Sequence, residues 1–258
     1  MPEVRNGDVS LHVEVDGDGE PVTVFAHGLT NSCRELAPFT PSLSGTAVRF
    51  CFRGHGHSSA PLTGYRFADL ASDLDAVARA YGARNAVGTS LGAGAIMSLL
   101  EHDHDRFDRI VMLLPASLDV PFRNPERFDG IADLLESYPK DEAIARILEA
   151  NGERYERAPW LREFDLALWE DMNTAGVARA IREATRDISI SDRELLRKVE
   201  APVLLICRAG DSIHPAELGV ILHDLFPASE LITLASEEEL LASIPVLVER
   251  VRGFLEGS

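Results

Sequence analysis

Hydrophobic and polar positions repeat with two different periods along the chain. Residues 9–15 alternate apolar and polar side chains, as in a hairpin strand at the edge of a sheet, whereas residues 22–26 are continuously apolar, as in a strand buried on both faces. Residues 67–81 repeat apolar side chains every three or four positions up to Gly82, which predicts an amphipathic helix. Further strands are predicted at 47–52, 84–88, 109–114, 202–207 and 230–234, and further helices at 90–101 and 245–255. This alternation predicts an α/β fold with a mostly parallel, doubly wound sheet.

A long helical segment separates the strands predicted at 109–114 and 202–207. Its four helical patterns lie at 126–137, 141–150, 161–170 and 175–186. A crossover between parallel strands needs only about a dozen residues, so the excess predicts a helical cap inserted over the carboxyl edge of the sheet. We expect a core built from residues 1–118 and 190–258 and a cap built from residues 119–189.

Charge and cysteine content restrict the partners and the compartment. The 258 residues carry a formal net charge of −17, which would repel a nucleic-acid backbone or an anionic membrane. The three cysteines are widely spaced and match no metal or redox motif, so we expect free thiols, a reducing compartment, and neither metal nor cofactor. Residues 1–6 lack the layout of a signal peptide, and no apolar run approaches the roughly 18 residues of a membrane span. We therefore expect a cytoplasmic protein that binds a small molecule. The oligomeric state stays undetermined, with a homodimer as one possibility.

The sequence Gly88-Thr89-Ser90-Leu91-Gly92 has the G-x-S-x-G pattern of a nucleophile elbow. It follows an apolar strand and opens a helix rich in small residues, which is the context that this motif requires. A serine on so sharp a turn adopts a strained backbone, and side chains two positions away on either side would collide with the turn. Ser90 is therefore the candidate nucleophile.

Three further segments follow predicted strands. His27-Gly28-Leu29-Thr30 follows the strand at 22–26, and Arg53-Gly54-His55-Gly56-His57-Ser58 follows the strand at 47–52. The segment from Cys207 to Pro215 follows the strand at 202–207 and resembles the acid-loop pattern G-x-x-D-x-x-x-P, with Asp211 as its acid. Together with the elbow, these segments resemble the α/β-hydrolase family in both motif and order, over nearly the whole chain.

The resemblance implies roles for individual residues. The backbone N–H groups of Leu29 and Leu91 would form an oxyanion hole, and Asp211 would orient and stabilise a catalytic histidine. His27 would be structural, and His55 and His57 are more typical of a packed turn than of a catalytic site. Asp119, after the strand at 109–114, is the alternative acid, and a helix-capping role for Asp211 is the alternative without catalysis.

The catalytic histidine is absent where the family has it. The loop after the last strand reads Ala235-Ser236-Glu237-Glu238-Glu239, and Glu238 stands at the family's histidine position, seven residues before Pro245. A serine hydroxyl is a weak nucleophile without a base, which typically contributes about 100- to 10,000-fold to the rate. The identity of the base therefore decides the chemistry.

Three explanations for the missing histidine stay open. Another histidine supplies the base, with His214 nearest to Asp211 and His55 or His57 as the other candidates. Alternatively, Glu238 replaces it, since a carboxylate beside Asp211 would have a raised pKa and would suit proton abstraction, cyclisation or a lyase step. In the third explanation the base is lost and the scaffold binds ligand but turns it over poorly.

These observations favour an esterase-like enzyme acting on a small, mostly apolar ester, thioester, lactone or related carbonyl compound. Ser90 would be its nucleophile or the anchor of the substrate carbonyl, beneath the helical cap. Large side chains in the cap recur at helical spacing and would either line the pocket or pack the cap against the core: Trp160, Phe164, Leu168, Trp169 and Met172. The alternatives are a non-catalytic ligand-binding protein and a cyclase or lyase on the same fold.

Overall fold

A computed structural model of the protein describes residues 2–41 and 43–257. Met1 and Ser258, the outer ends of the predicted core, lie outside the described residues, as does Ser42. The strands are β1 (Glu3–Asn6), β2 (Val9–Gly17), β3 (Val22–Ala26), β4 (Thr46–Phe50), β5 (Asn85–Thr89), β6 (Arg109–Leu113), β7 (Val203–Arg208) and β8 (Ser229–Leu234). The helices are α1 (Phe67–Tyr81), α2 (Leu91–Leu100), α3 (Glu126–Ser137), α4 (Lys140–Ala150), α5 (Gly152–Arg157), α6 (Trp160–Trp169), α7 (Thr174–Ala184), α8 (Ala216–Leu225) and α9 (Glu237–Glu256).

The strands of the described chain form a single sheet in the order β1-β2-β4-β3-β5-β6-β7-β8. β2 is antiparallel to both β1 and β4, and every later pairing is parallel. The predicted mostly parallel sheet is thus confirmed. The edge position expected for residues 9–15 is wrong, because the short strand β1 pairs with the outer side of β2.

Helices cover both faces of the sheet, which explains the continuous apolar runs in the central strands. On β3, Val24 and Ala26 pack into the cluster that contains α1 and α2, whereas Phe25 packs into a second cluster with α9. Successive strand residues point to opposite faces, so a strand covered twice must be apolar at every position. The sheet is therefore doubly wound, and α1 has the bounds that its periodicity predicts.

The chain between β6 and β7 is helical, as the pattern predicts. Helices α3, α4, α6 and α7 begin and end within two residues of the predicted ranges, and α5 is an additional short helix. Arg182 of α7 pairs with Asp129 and Asp133 of α3, which ties the first and last of these helices together. The division of the chain into a core and a separate cap stays a prediction.

Helix α9 begins eight residues earlier than the sequence pattern suggests. We expected a start at Pro245, since proline favours the first turn of a helix, but Pro245 lies inside α9. The helix begins after Ser236, whose side chain accepts a hydrogen bond from the N–H of Glu239 at 3.2 Å. Three glutamates then occupy the first turn, where negative charge is favoured by the helix dipole. Over residues 2–41 and 43–257, none of the helices is both long and apolar enough to cross a membrane.

Candidate active site

Ser90 occupies the sharp turn between β5 and α2. Its backbone has φ 49° and ψ −106°, outside the regions that a non-glycine residue normally adopts. The turn is fixed by a 2.9 Å hydrogen bond from the Ser90 N–H to the carbonyl of Leu113 on the neighbouring strand β6. Strain of this kind persists where surrounding structure enforces it, and it sets Ser90 at the carboxyl edge of the sheet.

The two glycines of the elbow are required by close backbone contacts. A Cβ atom on Gly92 would lie 2.1 Å from the carbonyl oxygen of Ala26, and one on Gly88 would lie 2.6 Å from the carbonyl carbon of Gly92. Real Cβ atoms are not found so close to backbone atoms. The G-x-S-x-G spacing therefore follows from the approach of α2 to β3 and β5 as well as from the turn itself.

His214 lies directly beside the Ser90 hydroxyl. Its Nε2 is 3.0 Å from Ser90 Oγ, and its Nδ1 is 3.1 Å from Oδ2 of Asp211. Because an ionised carboxylate only accepts hydrogen bonds, the proton of neutral His214 belongs on Nδ1, which leaves Nε2 to accept from the serine. The three side chains thus form a hydrogen-bonded chain of the kind that activates a serine for nucleophilic attack.

Asp211 is held by the loop between β7 and α8. Its Oδ1 accepts from the backbone N–H groups of Ile213 and His214 at 2.9 and 3.0 Å, and its Oδ2 accepts from Arg208 at 2.5 Å. Burial opposes ionisation of this carboxyl, but the hydrogen bonds and the His214 side chain hold its pKa well below its usual value. Asp211 is therefore a carboxylate at neutral pH and orients the imidazole.

The loop after β3 brings Leu29 to the same cavity as Ser90. Nε2 of the buried His55 contacts the Leu29 carbonyl at 3.2 Å, and Nε2 of His27 accepts from the N–H of Phe52 at 3.0 Å, which fixes the loop against the following turn. Burial lowers the pKa of both histidines, so they stay neutral. Leu91 is the first residue of α2, where a backbone N–H has no acceptor within the helix.

A cavity of about 300 Å³ opens onto Ser90 and His214. One part of its wall is apolar and is built by Leu29, Leu114, Phe128, Ile131, Ile147, Trp169, Met172 and Ile213. The other part is polar and is built by Asn31, Glu35, Arg127, Asn151, Arg154, Tyr155 and Asp165. Trp169 and Met172 thus line the cavity, whereas Trp160 is exposed and packs edge-on against Phe164.

Two carboxyl groups in the cavity wall have raised pKa values. Removal from bulk water raises the pKa of Glu35 to about 7, and the charge of Asp165 acts in the same direction. Hydrogen bonds from Gly28 N–H at 2.6 Å and from the Asn31 amide oppose this increase. Burial likewise raises the pKa of Asp165, which accepts from the Tyr155 hydroxyl at 2.8 Å and from Arg154 at 3.1 Å. Sequence reasoning missed Glu35 and Asp165, because neither belongs to a motif.

The structure places Glu238 outside this constellation. Its side chain is 67% exposed at the start of α9, lies 3.6 Å from Arg157, and is absent from the wall of the Ser90 cavity. The interpretation of Glu238 as the base therefore needs correction: the capped helix start holds it at the surface. The position that we compared with the family's histidine lies on α9, and the helix cap explains why three glutamates stand there.

The other candidate residues also lie apart from the serine. His57 is 43% exposed and pairs with Asp171 at 3.2 Å, and Asp119 pairs with Arg193 at 3.3 Å. Of the alternatives that the sequence left open, His214 is the one that the fold brings to Ser90. The available signal was its spacing of three residues from Asp211, which lets the two side chains meet on a turn.

A separate cluster offers metal-ligating atoms away from the serine. In the described part of the chain, the ligand atoms of His12, Glu14 and Cys33 all lie within 4.8 Å of one another. Arg49 already pairs with Glu14 at 2.7 Å and supplies a positive charge there. This cluster on β2 and the loop after β3 has no connection to the hydrogen-bonded chain of Ser90, and we assign it no function.

Comparison with known proteins identifies the family. The profile of the alpha/beta hydrolase fold family matches residues 21–240, which include the elbow, the Leu29 loop and the Asp211 loop. The chain belongs to the alpha/beta hydrolase fold family. Membership supports a hydrolase-type activity, and in this chain the histidine that contacts Ser90 lies on the loop after β7.

Two curated relatives and two solved structures illustrate the similarity. The AB hydrolase superfamily protein YisY of Bacillus subtilis is 26% identical over 243 residues, 88% of each chain. The 2-(acetamidomethylene)succinate hydrolase of Mesorhizobium japonicum is 37% identical over 91 residues, 34% of this chain and 32% of that protein. An esterase from Exiguobacterium antarcticum superposes with a TM-score of 0.81 at 19% identity and 98% coverage of both chains. The enol-lactonase from Burkholderia xenovorans LB400 also gives 0.81, at 21% identity, covering 99% of this chain and 100% of that one. At these identities the two structures show a shared fold.

Proposed function

We propose that this protein is a serine hydrolase that cleaves small carboxylic esters, thioesters or lactones by acyl transfer. The observation that carries the proposal is the continuous chain from Ser90 Oγ to His214 Nε2 and from His214 Nδ1 to Asp211 Oδ2, at 3.0 and 3.1 Å. Family membership and the cavity of about 300 Å³ over the serine support it. This volume lies at the small end of ligand pockets, which favours a small substrate.

The first half of the reaction forms an acyl-enzyme. His214 Nε2 removes the proton from Ser90 as Oγ attacks the substrate carbonyl, and the resulting imidazolium is stabilised by the carboxylate of Asp211. The N–H groups of Leu29 and Leu91 would donate to the oxyanion of the tetrahedral intermediate. His214 then transfers its proton to the leaving alkoxide or thiolate, and the bond between the carbonyl carbon and the leaving atom breaks.

The second half regenerates the enzyme with water. His214 Nε2 removes a proton from a water molecule, whose oxygen attacks the acyl carbon through a second oxyanion intermediate. The proton on Nε2 then passes to Ser90 Oγ as the ester bond to the enzyme breaks. The products are a carboxylic acid and a free serine. In this proposal the base sits on the same loop as the acid, and Glu238 has no part in the chemistry.

Covalent labelling of Ser90 tests this mechanism. A fluorophosphonate probe should modify the wild-type protein once, at Ser90, and phenyl butanoate should release phenol catalytically. Ser90→Ala should abolish both, whereas Ser72→Ala, a change on the exposed face of α1, should retain labelling. The non-catalytic binding protein is the second candidate, and it would be favoured if the wild-type protein failed both to react with the probe and to cleave esters.

A further inference from the structure

Glu35 faces the substrate cavity without a positive partner. It lies on the segment after β3, is half-buried, and lines the same cavity as Ser90 and His214. Its two oxygens accept from the Gly28 N–H and from the Asn31 amide, both neutral donors. Among residues 2–41 and 43–257, no arginine, lysine or histidine forms an ion pair with Glu35.

Neither arginine of the cavity wall forms an ion pair with Glu35. Arg154 pairs with Asp165 and Glu237 at 3.1 and 3.0 Å, and Arg127 donates to the Ser212 hydroxyl at 3.0 Å. A carboxylate withdrawn from bulk water is costly unless a positive charge or several donors compensate it. Among the described residues, Glu35 has two neutral donors and no ion pair, so a positive charge bound beside it would stabilise its ionised form.

A cationic ligand would supply that missing charge. An ammonium group near Glu35 would stabilise its ionised form through the attraction between opposite charges. The net charge of −17 favours the approach of cations from solution. Phe128, Ile131 and Met172 belong to the apolar part of the same cavity wall, which suits a short hydrocarbon segment between the carbonyl and the amine of such a ligand.

We infer that the preferred substrates are small esters whose acyl chain carries a protonated amine, and that Glu35 binds this amine. The inference rests on the proposed function and narrows its substrate class. Glu35 is therefore a specificity-determining residue, distinct from the Ser90, His214 and Asp211 chain that performs acyl transfer.

Three phenyl esters of matched acyl length test the inference: the 3-aminopropanoate, the butanoate and the succinate monoester. They place an ammonium, a methyl and a carboxylate group at the same distance from the carbonyl. We expect kcat/KM for the ammonium ester to exceed that for the butanoate by at least about tenfold, the discrimination typical of one hydrogen bond to a charged group. Spontaneous hydrolysis is subtracted for each ester.

Glu35→Gln separates charge recognition from folding of the loop. Glutamine keeps an acceptor for the Gly28 N–H, and the readout is the ammonium-to-butanoate ratio of kcat/KM, which should fall to about one whatever the change in the butanoate rate itself. The matched control is Glu238→Gln, which removes an exposed carboxylate outside the cavity and should leave the ratio unchanged. An unchanged ratio in Glu35→Gln would overturn the assignment of Glu35.

The pH dependence of the ratio provides a second measurement that needs no variant. As pH rises from 6 to 8, Glu35 ionises and the ratio should increase, whereas a pH effect on the catalytic step itself acts on both esters and cancels in the ratio. The amine of the 3-aminopropanoate stays protonated over this range. The charged and titratable groups that share the cavity with Glu35 are Arg127, Arg154, Tyr155, Asp165 and His214.

Binding to Ser90→Ala distinguishes failure of the inference from failure of the proposed function. Calorimetry with this variant should show tighter binding of the ammonium ester than of the butanoate, even without turnover. Equal binding, or a preference for the succinate monoester that would point to Arg127, overturns the inference. Tighter ammonium binding without cleavage of any ester by the wild-type protein would uphold the amine site and reject the hydrolase.

Discussion

Asp211 and His214 stand three residues apart on one loop, and His214 Nδ1 lies 3.1 Å from Asp211 Oδ2. The proposed acid and the proposed base therefore share the segment between β7 and α8, and the proposed mechanism needs no group from the start of α9. The same carboxylate accepts hydrogen bonds from the backbone N–H groups of Ile213 and His214. The Asp211 carboxylate thus holds the turn that orients the His214 imidazole, and in the proposed mechanism it also stabilises the positive charge of that imidazole.

Replacing His214 should slow ester hydrolysis strongly. We expect His214→Ala to lower kcat/KM for phenyl butanoate by about 100- to 10,000-fold, because Ser90 loses its general base. The measurement is phenol release at pH 7.5 with thermal unfolding as a check on folding. His57→Ala, which alters an exposed histidine paired with Asp171, should retain activity. The opposite pattern would assign the base to His57.

Placing a histidine at position 238 should not restore activity to His214→Ala. Glu238 is exposed beside Arg157 and does not line the Ser90 cavity, so an imidazole on that backbone would not reach the serine without movement of α9. The double variant His214→Ala/Glu238→His should therefore remain as slow as His214→Ala. A gain of about 100-fold, the contribution of a working base, would contradict the described start of α9.

Alanine at Gly92 should destabilise the fold, whereas alanine at Gly130 should not. The new Cβ at position 92 would lie 2.1 Å from the Ala26 carbonyl oxygen, so α2 or β3 must shift, at a cost of about 2 kcal/mol or more. Gly130 lies in α3, and a Cβ there would meet no other atom within contact distance. Alanine at this position should raise the free energy of unfolding by about 0.5–1 kcal/mol, because alanine has the higher helix propensity. Urea unfolding measures both, and equal effects would rule out the close contact.

The stability difference between Glu35→Gln and the wild type should grow as pH rises from 5 to 7. The pKa of Glu35 is about 7 in the folded protein and near its ordinary value of 4.5 when unfolded, so the folded state binds more protons between these values. The protonated carboxyl of Glu35 therefore contributes fully to wild-type stability below pH 4.5, and this contribution disappears as the pH rises from 4.5 to 7. Glutamine does not titrate, so the free energy of unfolding of Glu35→Gln should rise relative to that of the wild type by an amount on the order of 3 kcal/mol and then level off.

Urea unfolding at intervals between pH 5 and 8 measures this difference. Glu238→Gln is the control, because the pKa of Glu238 is lowered by hydrogen bonds at the helix start and its titration falls below this range. A pH-independent difference for Glu35→Gln would show that Glu35 is solvated like a surface residue and would also weaken its assignment to the amine site.

Local features of the site could be predicted well from the sequence. The elbow around Ser90 and the bounds of α1 depend on neighbouring residues: glycines that permit a tight turn, and an apolar period that ends at Gly82. Asp211 could be singled out for the same reason, since its turn is encoded between Gly210 and Pro215. Such features need no knowledge of distant contacts.

The proposed base and the proposed recognition residue could not be predicted in this way. Choosing between His214 and Glu238 requires the position of α9, whose start is set by the Ser236 cap although Pro245 is the stronger local signal. Glu35 lies in a segment without a motif, and its importance arises from Gly28, Asp165 and the cavity they share.

The sequence by itself determined the mostly parallel α/β sheet and the elbow that presents Ser90, because hydrophobic periodicity and glycine placement act over a few residues. Only the tertiary structure decided which group meets the serine and which charge lacks a partner. Both depend on side chains brought together from distant strands and helices: His214 is 124 positions from Ser90 in sequence and 3.0 Å from it in space. Distances of that kind follow from how the helices pack on the sheet, and no local pattern encodes them.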